Sequence, residues 1–340
     1  MQQAPLRHPG LLTRIRTLER VREVSEVAFR HGFGYFFERH RILPSLRHWR
    51  KPSPPPAAHR GRHIREMLDE LGPTFVKFGQ LLSTRPDILP ADIVQELVKL
   101  QDHVSPIEPA VISEVIQQEL GLTIEQVFES FEAEPLASAS IGQVHGATLP
   151  GGERVVVKVQ RPGAARQIRK DVDVLLQAAE LLEGRLDVGF SPTAVVNEFN
   201  RTISRELDYM LEARNAERFA KNFGEDGPVR IPRIHWRYTT SRVLTMEHID
   251  GPTLNSPTIA ALPAEERRTI AGAVADCWFR QILVDGFFHG DPHPANIAYL
   301  GDGRIALFDF GTAGFLRTED LEFGVQILDH ALHGEHCLVK

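Results

Sequence analysis

The stretch His289-Gly290-Asp291-Pro292-His293-Pro294-Ala295-Asn296, followed by Leu307-Phe308-Asp309-Phe310-Gly311, decides the reading of this chain. The first segment has the order His-x-Asp, four residues, then Asn, the spacing of a phosphoryl-transfer loop. Such a loop needs an acidic side chain facing a hydroxyl and, on the same loop, an amide oxygen facing a cation on the phosphates. Asp309 follows Asn296 by 13 positions. It is the candidate for a second hard oxygen ligand, because Mg2+ selects carboxylate oxygen. Gly311 is expected to let the backbone turn after it. Asp-Phe-Gly alone is a weak signal; the ordered pair is a strong one. His289 and His293 are four apart, but Pro292 between them and Pro294 just after forbid the helix that a two-histidine zinc site of that spacing needs.

Upstream, Glu153-Arg154-Val155-Val156-Val157-Lys158-Val159 reads as a strand carrying a lysine toward the α- and β-phosphates. Such a lysine needs a carboxylate to hold it. The candidates lie in Glu206-Leu207-Asp208-Tyr209-Met210-Leu211-Glu212, where Asp208 and Glu212 share a helix face and Glu206 points elsewhere. No glycine-rich loop precedes the lysine. In its place stands Ala137-Ser138-Ala139-Ser140-Ile141-Gly142-Gln143-Val144-His145, whose backbone N–H groups can still approach a phosphate. Lys77-Phe78-Gly79-Gln80 lies in a helix expected from Pro73 to Thr84, with Lys77 and Gln80 on one face. Gly79 costs a helix about 1 kcal/mol against alanine, which asks for close packing or function.

The rest of the chain frames these motifs. Of 340 residues, 42% are apolar and 25% charged, an ordinary globular composition long enough for about two domains. The net charge of −6 speaks against a dedicated nucleic-acid binder, so no nucleic acid is expected as partner. Residues 1–60 hold 12 Lys/Arg against 4 Asp/Glu, a basic arm for which an anionic membrane surface and a plain solvated or docked helix are the two readings. Leu11, Ile15, Leu18, Val21 and Ser25 step along an expected helix over 11–30, followed by Phe33, Tyr35, Phe36 and Phe37. Lys51-Pro52-Ser53-Pro54-Pro55-Pro56 reads as a stiff linker. Cys277 and Cys337 are too few for a disulfide scaffold and fit a reducing compartment. No run of 18 apolar residues is present. Helices are expected over 91–100, 109–120, 164–184, 192–222 and from Pro263 to about Gly286, with a last one from Thr318. Short strands are expected over 229–234, 242–249 and 305–308.

Taken together, the Lys77–Gln80 helix, the alanine-rich Ala137–His145 segment, Glu206 to Asp208, His289–Asn296 and Asp309–Gly311 resemble the UbiB/ADCK family of atypical kinase-like proteins. The resemblance runs from about 61 to about 316. It implies an α+β, protein-kinase-like two-lobed fold with an extra N-terminal helical extension. The expected divisions are an arm and linker over 1–60, the helical extension over 61–135, a small lobe over 136–250 and a partial large lobe over 251–340. Only 31 residues follow Asp309, so the large lobe is expected to be incomplete.

The resemblance also implies roles. Lys158 would hold nucleotide phosphates and pair with Glu212. Asp291 would be the catalytic acidic residue, with Lys77 and Gln80 in the catalytic group. Asn296 and Asp309 would bind Mg2+. Ala137, Ser138, Ala139, Ser140, Glu206, Asp208 and the hinge residues Met246, Glu247 and Ile249 would line the ATP or ADP site. A role in ubiquinone biosynthesis follows from the family. The implied partners are a prenyl-phenol or quinone-like lipid, an anionic membrane and a quinone-biosynthesis complex. The implied place is the inner face of a bacterial membrane or its matrix or stromal equivalent. The alternatives are a small-molecule kinase of the aminoglycoside or choline type and a nucleotide-binding scaffold without catalysis.

Overall fold

The computed structural model describes residues 11–33, 59–101, 104–184, 189–225, 227–317, 319–321 and 324. The proline-rich linker, Tyr35–Phe37, most of the helix expected from Thr318, and Cys337 lie outside the described residues. The chain forms two packing units. One takes in residues 1–106, 138–142 and 161–203, the other 107–137, 143–160 and 204–340. The units therefore interleave along the chain, whereas the divisions at 61, 136 and 251 are linear.

The first unit is helical. Arg60–Leu71 and Pro73–Ser83 are separated by Gly72, whose φ of 100° reverses the chain, and Pro73 opens the second helix where an N–H has no partner to lose. Leu68, Leu71, Phe75, Val76, Leu97 and Leu100 bury into one core with Val27 of the Leu11–Ala28 helix. Gly79 owes its place to this packing. A Cβ there would lie 2.4 Å from a Leu100 methyl and 2.7 Å from a Leu68 methyl.

The basic arm docks through Arg20 and Arg30. Arg20 sends Nε to Asp171 Oδ1 at 2.7 Å and Nη2 to the Leu71 carbonyl at 2.7 Å, with its guanidinium over the Phe75 ring. Arg22 pairs with Glu26, and Arg30 with Glu70. The arm's charge is thus spent on the protein's own carboxylates at these three positions. Asp171, on the helix Ala164–Leu182, keeps only 2% of its side chain exposed. Arg20→Ala leaves that carboxylate with no cation and only Gln167 Nε2 at 3.0 Å, so it should lower unfolding free energy by about 3 kcal/mol in urea denaturation. Arg22→Ala, on an exposed pair, should change it by less than about 1 kcal/mol. Equal losses would refute the anchoring role.

The second unit is built on an antiparallel sheet, in the order Ser130–Phe131, Gly142–Thr148, Arg154–Gln160 and Val243–Glu247, with Ala137–Ser138 also on Gly142–Thr148. Alternation fixes its faces. Val155, Val157 and Val159 are fully buried against Ile112, Val115 and Ile116 of the helix Pro109–Leu120. Lys158 falls between them and therefore faces the other way. A second core gathers Ala213, Ala216 and Phe219 of the helix Tyr209–Phe223 with Phe287, Ile305, Leu307 and Phe310. Small sheets flank it. Val229–Arg230, Arg304–Leu307 and Ile297–Gly301 form one; Phe287–His289 and Ala313–Phe315 form the other.

Two expectations are corrected here. The single helix over 192–222 is two, Pro192–Glu206 and Tyr209–Phe223. Asp208 breaks it, because its carboxylate accepts the Met210 and Leu211 N–H groups and starts a new helix. The strand expected over 229–234 is only Val229–Arg230. Pro232 has no N–H to give a ladder.

Candidate active site

Lys158 is the centre of the site. Its Nζ donates to Glu212 Oε1 at 2.5 Å and lies 3.6 Å from Asp309 Oδ2. The lysine comes from the strand Arg154–Gln160, paired to Val243–Glu247 with Lys158 opposite Leu244. Glu212 comes from the first turn of the Tyr209–Phe223 helix, where its charge complements the helix dipole. Its side chain is 5% exposed and that of Lys158 is 16% exposed, whereas that of Asp309 is 54% exposed. Burial pulls the Lys158 ammonium down, but Asp309 and Glu212 outweigh it and hold it above the ordinary lysine range. Burial pushes the Glu212 carboxyl up, and Asp309 adds to that against the pull of Lys158. The two directions conflict over whether the proton stays on nitrogen. The 2.5 Å contact and the second carboxylate favour a charged ammonium between two carboxylates.

The two sequence motifs are wired together by His289, 1% exposed. Asp291 N–H donates to His289 Nδ1 at 3.2 Å, so Nε2 carries the proton and donates to the Phe308 carbonyl at 2.9 Å. The His289 amide donates to Gln281 Oε1 at 2.7 Å, and Gln281 donates to Cys277 Sγ at 3.0 Å. Burial pushes the Cys277 thiol up to about 12, so it is a neutral packing group. Asn296 Nδ2 donates to Asp291 Oδ2 at 2.9 Å, and the Phe308 amide donates to the Asn296 carbonyl at 2.8 Å. Gly290 is needed where the loop passes Thr312. Its amide bonds the Thr312 carbonyl at 2.9 Å, and a Cβ would lie 2.7 Å from the Thr312 methyl.

The turn after the second motif differs from expectation. Its left-handed residue is Asp309 itself, at φ 57°, and not Gly311. Aspartate tolerates that region because its short side chain can bond locally, here from Gly311 N–H at 3.4 Å. Phe310 turns inward, stacking edge-on to His289 at 5.5 Å and on Phe219 at 5.5 Å. Asn215 clamps the Phe310 carbonyl at 2.9 Å. One helix therefore holds both Lys158, through Glu212, and the Asp309 turn, through Asn215 and Phe219.

The other expected residues divide. Met246 is buried and pairs Val156. Glu247 is engaged with its neighbours through both its side chain and its amide. The carboxylate accepts from Arg230 at 2.7 Å and from the Arg233 amide at 3.1 Å, and its own N–H donates to the Arg233 carbonyl at 2.8 Å. Ile249 is half-buried just beyond the strand, and Glu206 is half-buried at the end of its helix. Asp208 is spent as a helix cap. Ala137 begins the short strand that leads into the alanine-rich loop.

Lys77, Gln80, Ser138, Ala139 and Ser140 belong to the first unit. Gln80 donates to the Leu100 carbonyl at 3.3 Å, and Lys77 is half-buried beside it. Arg161 holds the alanine-rich loop. It donates to the Ala139 carbonyl at 2.7 Å and to Ser138 Oγ at 2.8 Å, and the Ser138 hydroxyl donates to the Val104 carbonyl at 3.1 Å. Ser140 is buried. The sequence reading missed Arg161, Asn215, Phe219 and Gln281. Only long-range packing identifies them, and no spacing rule reaches across it.

The donor set fits Mg-nucleotide. The Asp309 carboxylate stands beside a fixed ammonium, and the Phe308–Asn296 backbone bond joins the Asn296 loop to the same turn. Carboxylate, amide oxygen and ammonium are hard or cationic partners for a phosphate chain and its cation.

Comparison with known proteins agrees with this geometry. The family model described as the ABC1 atypical kinase-like domain matches residues 99–339. A "Probable protein kinase UbiB" of Marinobacter nauticus is 41% identical over 281 residues, covering 79% of this chain and 50% of that protein. The chloroplastic protein "Activity of bc1 complex kinase 7" of Arabidopsis thaliana is 41% identical over 256 residues, covering 75% of this chain and 37% of that protein. The chain thus spans half or less of the length of these curated relatives. A solved complex of Rv3197 with erythromycin from Mycobacterium tuberculosis superposes with a TM-score of 0.59 at 31% identity, covering 80% of this chain and 69% of that one. A family match running through both motifs, on a fold shared with that structure, makes this chain a member of the ABC1 atypical kinase-like family.

Proposed function

We propose that the chain binds Mg-ATP and transfers its terminal phosphoryl group, either to water or to a phenolic acceptor. The observation that carries the reading is Lys158 held between Glu212 at 2.5 Å and Asp309 at 3.6 Å, together with an Asp291–Asn296 pair at 2.9 Å. Lys158 binds and orients phosphate oxygens. Asn296 Oδ1 and the Asp309 carboxylate would hold the cation, which supplies charge neutralisation on the phosphates. Asp291 accepts the proton of the attacking hydroxyl or water. Positioning and electrostatics do the rest of the work in this chemistry.

The family match favours this reading over an aminoglycoside-type or choline-type kinase. Its relatives carry kinase names, one of them UbiB and one chloroplastic. A quinone-lipid acceptor and a location at the inner membrane face enter through that kinship. No helix among the described residues is long and apolar enough to cross a membrane.

The first test is thermal stability with ATP and ADP, with and without Mg2+, on wild type and Asp309→Asn. A ligand at 100 times its Kd adds about 2.7 kcal/mol to the folded state. Wild type should show a Mg-dependent rise in Tm that Asp309→Asn lacks. An equal rise in both proteins would remove Asp309 from the cation site. No rise in wild type would remove the nucleotide reading for this chain.

A further inference from the structure

The helix Tyr209–Phe223 has a second working face. Glu212, Ala216 and Phe219 bury along one side. At 100° per residue, Arg214, Arg218 and Lys221 fall on the opposite side. There they line a cavity of about 740 Å3 together with Arg230 and Arg233. Its carboxylates are Glu217, Glu225 and Glu247; Arg233 also pairs with Glu153 just outside the lining and Arg218 lies over the Phe287 ring, so the excess is one positive charge, presented by the exposed Arg214 and Lys221. Glu217 already accepts from Trp236 Nε1, and Glu247 from Arg230. Arg214 and Lys221 stay exposed at the edge, while Ile231 and Ile234 give the cavity a buried apolar floor. Neither Lys158 nor Asp309 reaches it.

We propose that this cavity is a regulatory site for a phosphate monoester with an organic body. Planar guanidinium forks match phosphate oxygens, and convergence of Arg and Lys groups suits a dianion better than a lone carboxylate. The volume is that of a small-molecule site, roughly 300–1,000 Å3, and far exceeds bare phosphate. The apolar floor takes the organic part. One wall is the back of the Glu212 helix, and another includes Glu247, the last residue of the strand Val243–Glu247 that pairs with the Lys158 strand. A ligand bridging them braces Glu212 against Lys158, so it must couple to nucleotide affinity, and the coupling must be reciprocal. The regulatory half rests on the nucleotide reading above; the binding half does not.

Calorimetric titration of the whole chain without nucleotide tests the binding half. The probes are glycerol 3-phosphate, phenyl phosphate and dihexanoyl phosphatidic acid. Saturable binding of at least one is expected, weakened tenfold or more in Arg214→Ala/Lys221→Ala and unchanged in Asp309→Asn. Binding of phosphatidic acid alone points to a lipid headgroup; binding of the other two points to a soluble metabolite. Either supports the site. No saturable binding by folded wild type, equal binding by the double variant, or loss in Asp309→Asn overturns it. For the regulatory half, the bound probe should change ADP affinity at least threefold. Probe binding with unchanged ADP affinity, or with no ADP binding at all, overturns the regulatory assignment and leaves the anion site standing.

Discussion

Asp291→Asn should cut ATP turnover at least a hundredfold while leaving Mg-nucleotide affinity within about threefold of wild type. A positioned general base contributes roughly 10²–10⁴ in rate. Asparagine keeps the shape and can still accept from Asn296, so the loop should hold. Asp291 N–H also stays on His289 Nδ1, a main-chain bond that the substitution does not touch. What is lost is the only thing the reading asks of Asp291, a basic carboxylate facing the acceptor. Hydrolysis and transfer should be measured alongside affinity, because the two separate the competing readings. Lost turnover with kept binding marks an enzyme. Turnover equal to wild type would show that Asp291 is not the base, and a chain that binds nucleotide without turnover in either form would be a scaffold.

The motifs were legible where the chemistry they would serve dictates spacing. Asp291, Asn296 and Asp309 sit on two short segments whose order follows from what a phosphate chain and its cation require. Lys158 was legible as a strand lysine only together with the downstream motifs. Its partner was not: residues 206–212 offered three carboxylates, and helical spacing alone left Asp208 and Glu212 level. The structure separates them by what each is doing, because Asp208 caps the helix that presents Glu212. Gly79 signalled close packing, and the Leu68 and Leu100 methyls supply it. Other features left no local trace. Arg20 meets Asp171 across 151 residues, so an arginine readable as a membrane contact is a buried anchor. The strands Phe287–His289 and Ala313–Phe315 have three residues each and exist because they pair with one another, not because of propensity. Asp309 in the left-handed region is a position that glycine-based rules assign to its neighbour.

Removing Lys158 alone should destabilise the fold, and removing its partner with it should restore stability without restoring function. Lys158→Met leaves Glu212, 5% exposed, with no ammonium and with Asp309 nearby. Breaking a buried pair on one side costs about 3–5 kcal/mol, because the remaining charge is stranded. Lys158→Met/Glu212→Leu removes both desolvation costs, and such replacements are often neutral or stabilising. The double variant should therefore unfold near wild type, yet bind Mg-nucleotide at least tenfold more weakly, since nothing then holds the phosphates. The pH dependence follows from the raised Lys158 value. A lysine raised on folding contributes stability that is complete below its ordinary value near 10.5 and falls only as pH rises through the higher folded value. The share that Lys158 itself contributes should accordingly be lost only in strong alkali, whereas in Lys158→Met burial and Asp309 push the stranded Glu212 carboxyl up, so it takes a proton as pH falls and the difference from wild type should narrow toward acid. If the single variant is as stable as wild type, Lys158 and Glu212 are not a coupled pair. If the double variant is as unstable as the single, the pair is structural. The expected pattern, stability recovered and binding lost, would mean that the charge is kept inside the protein for the nucleotide.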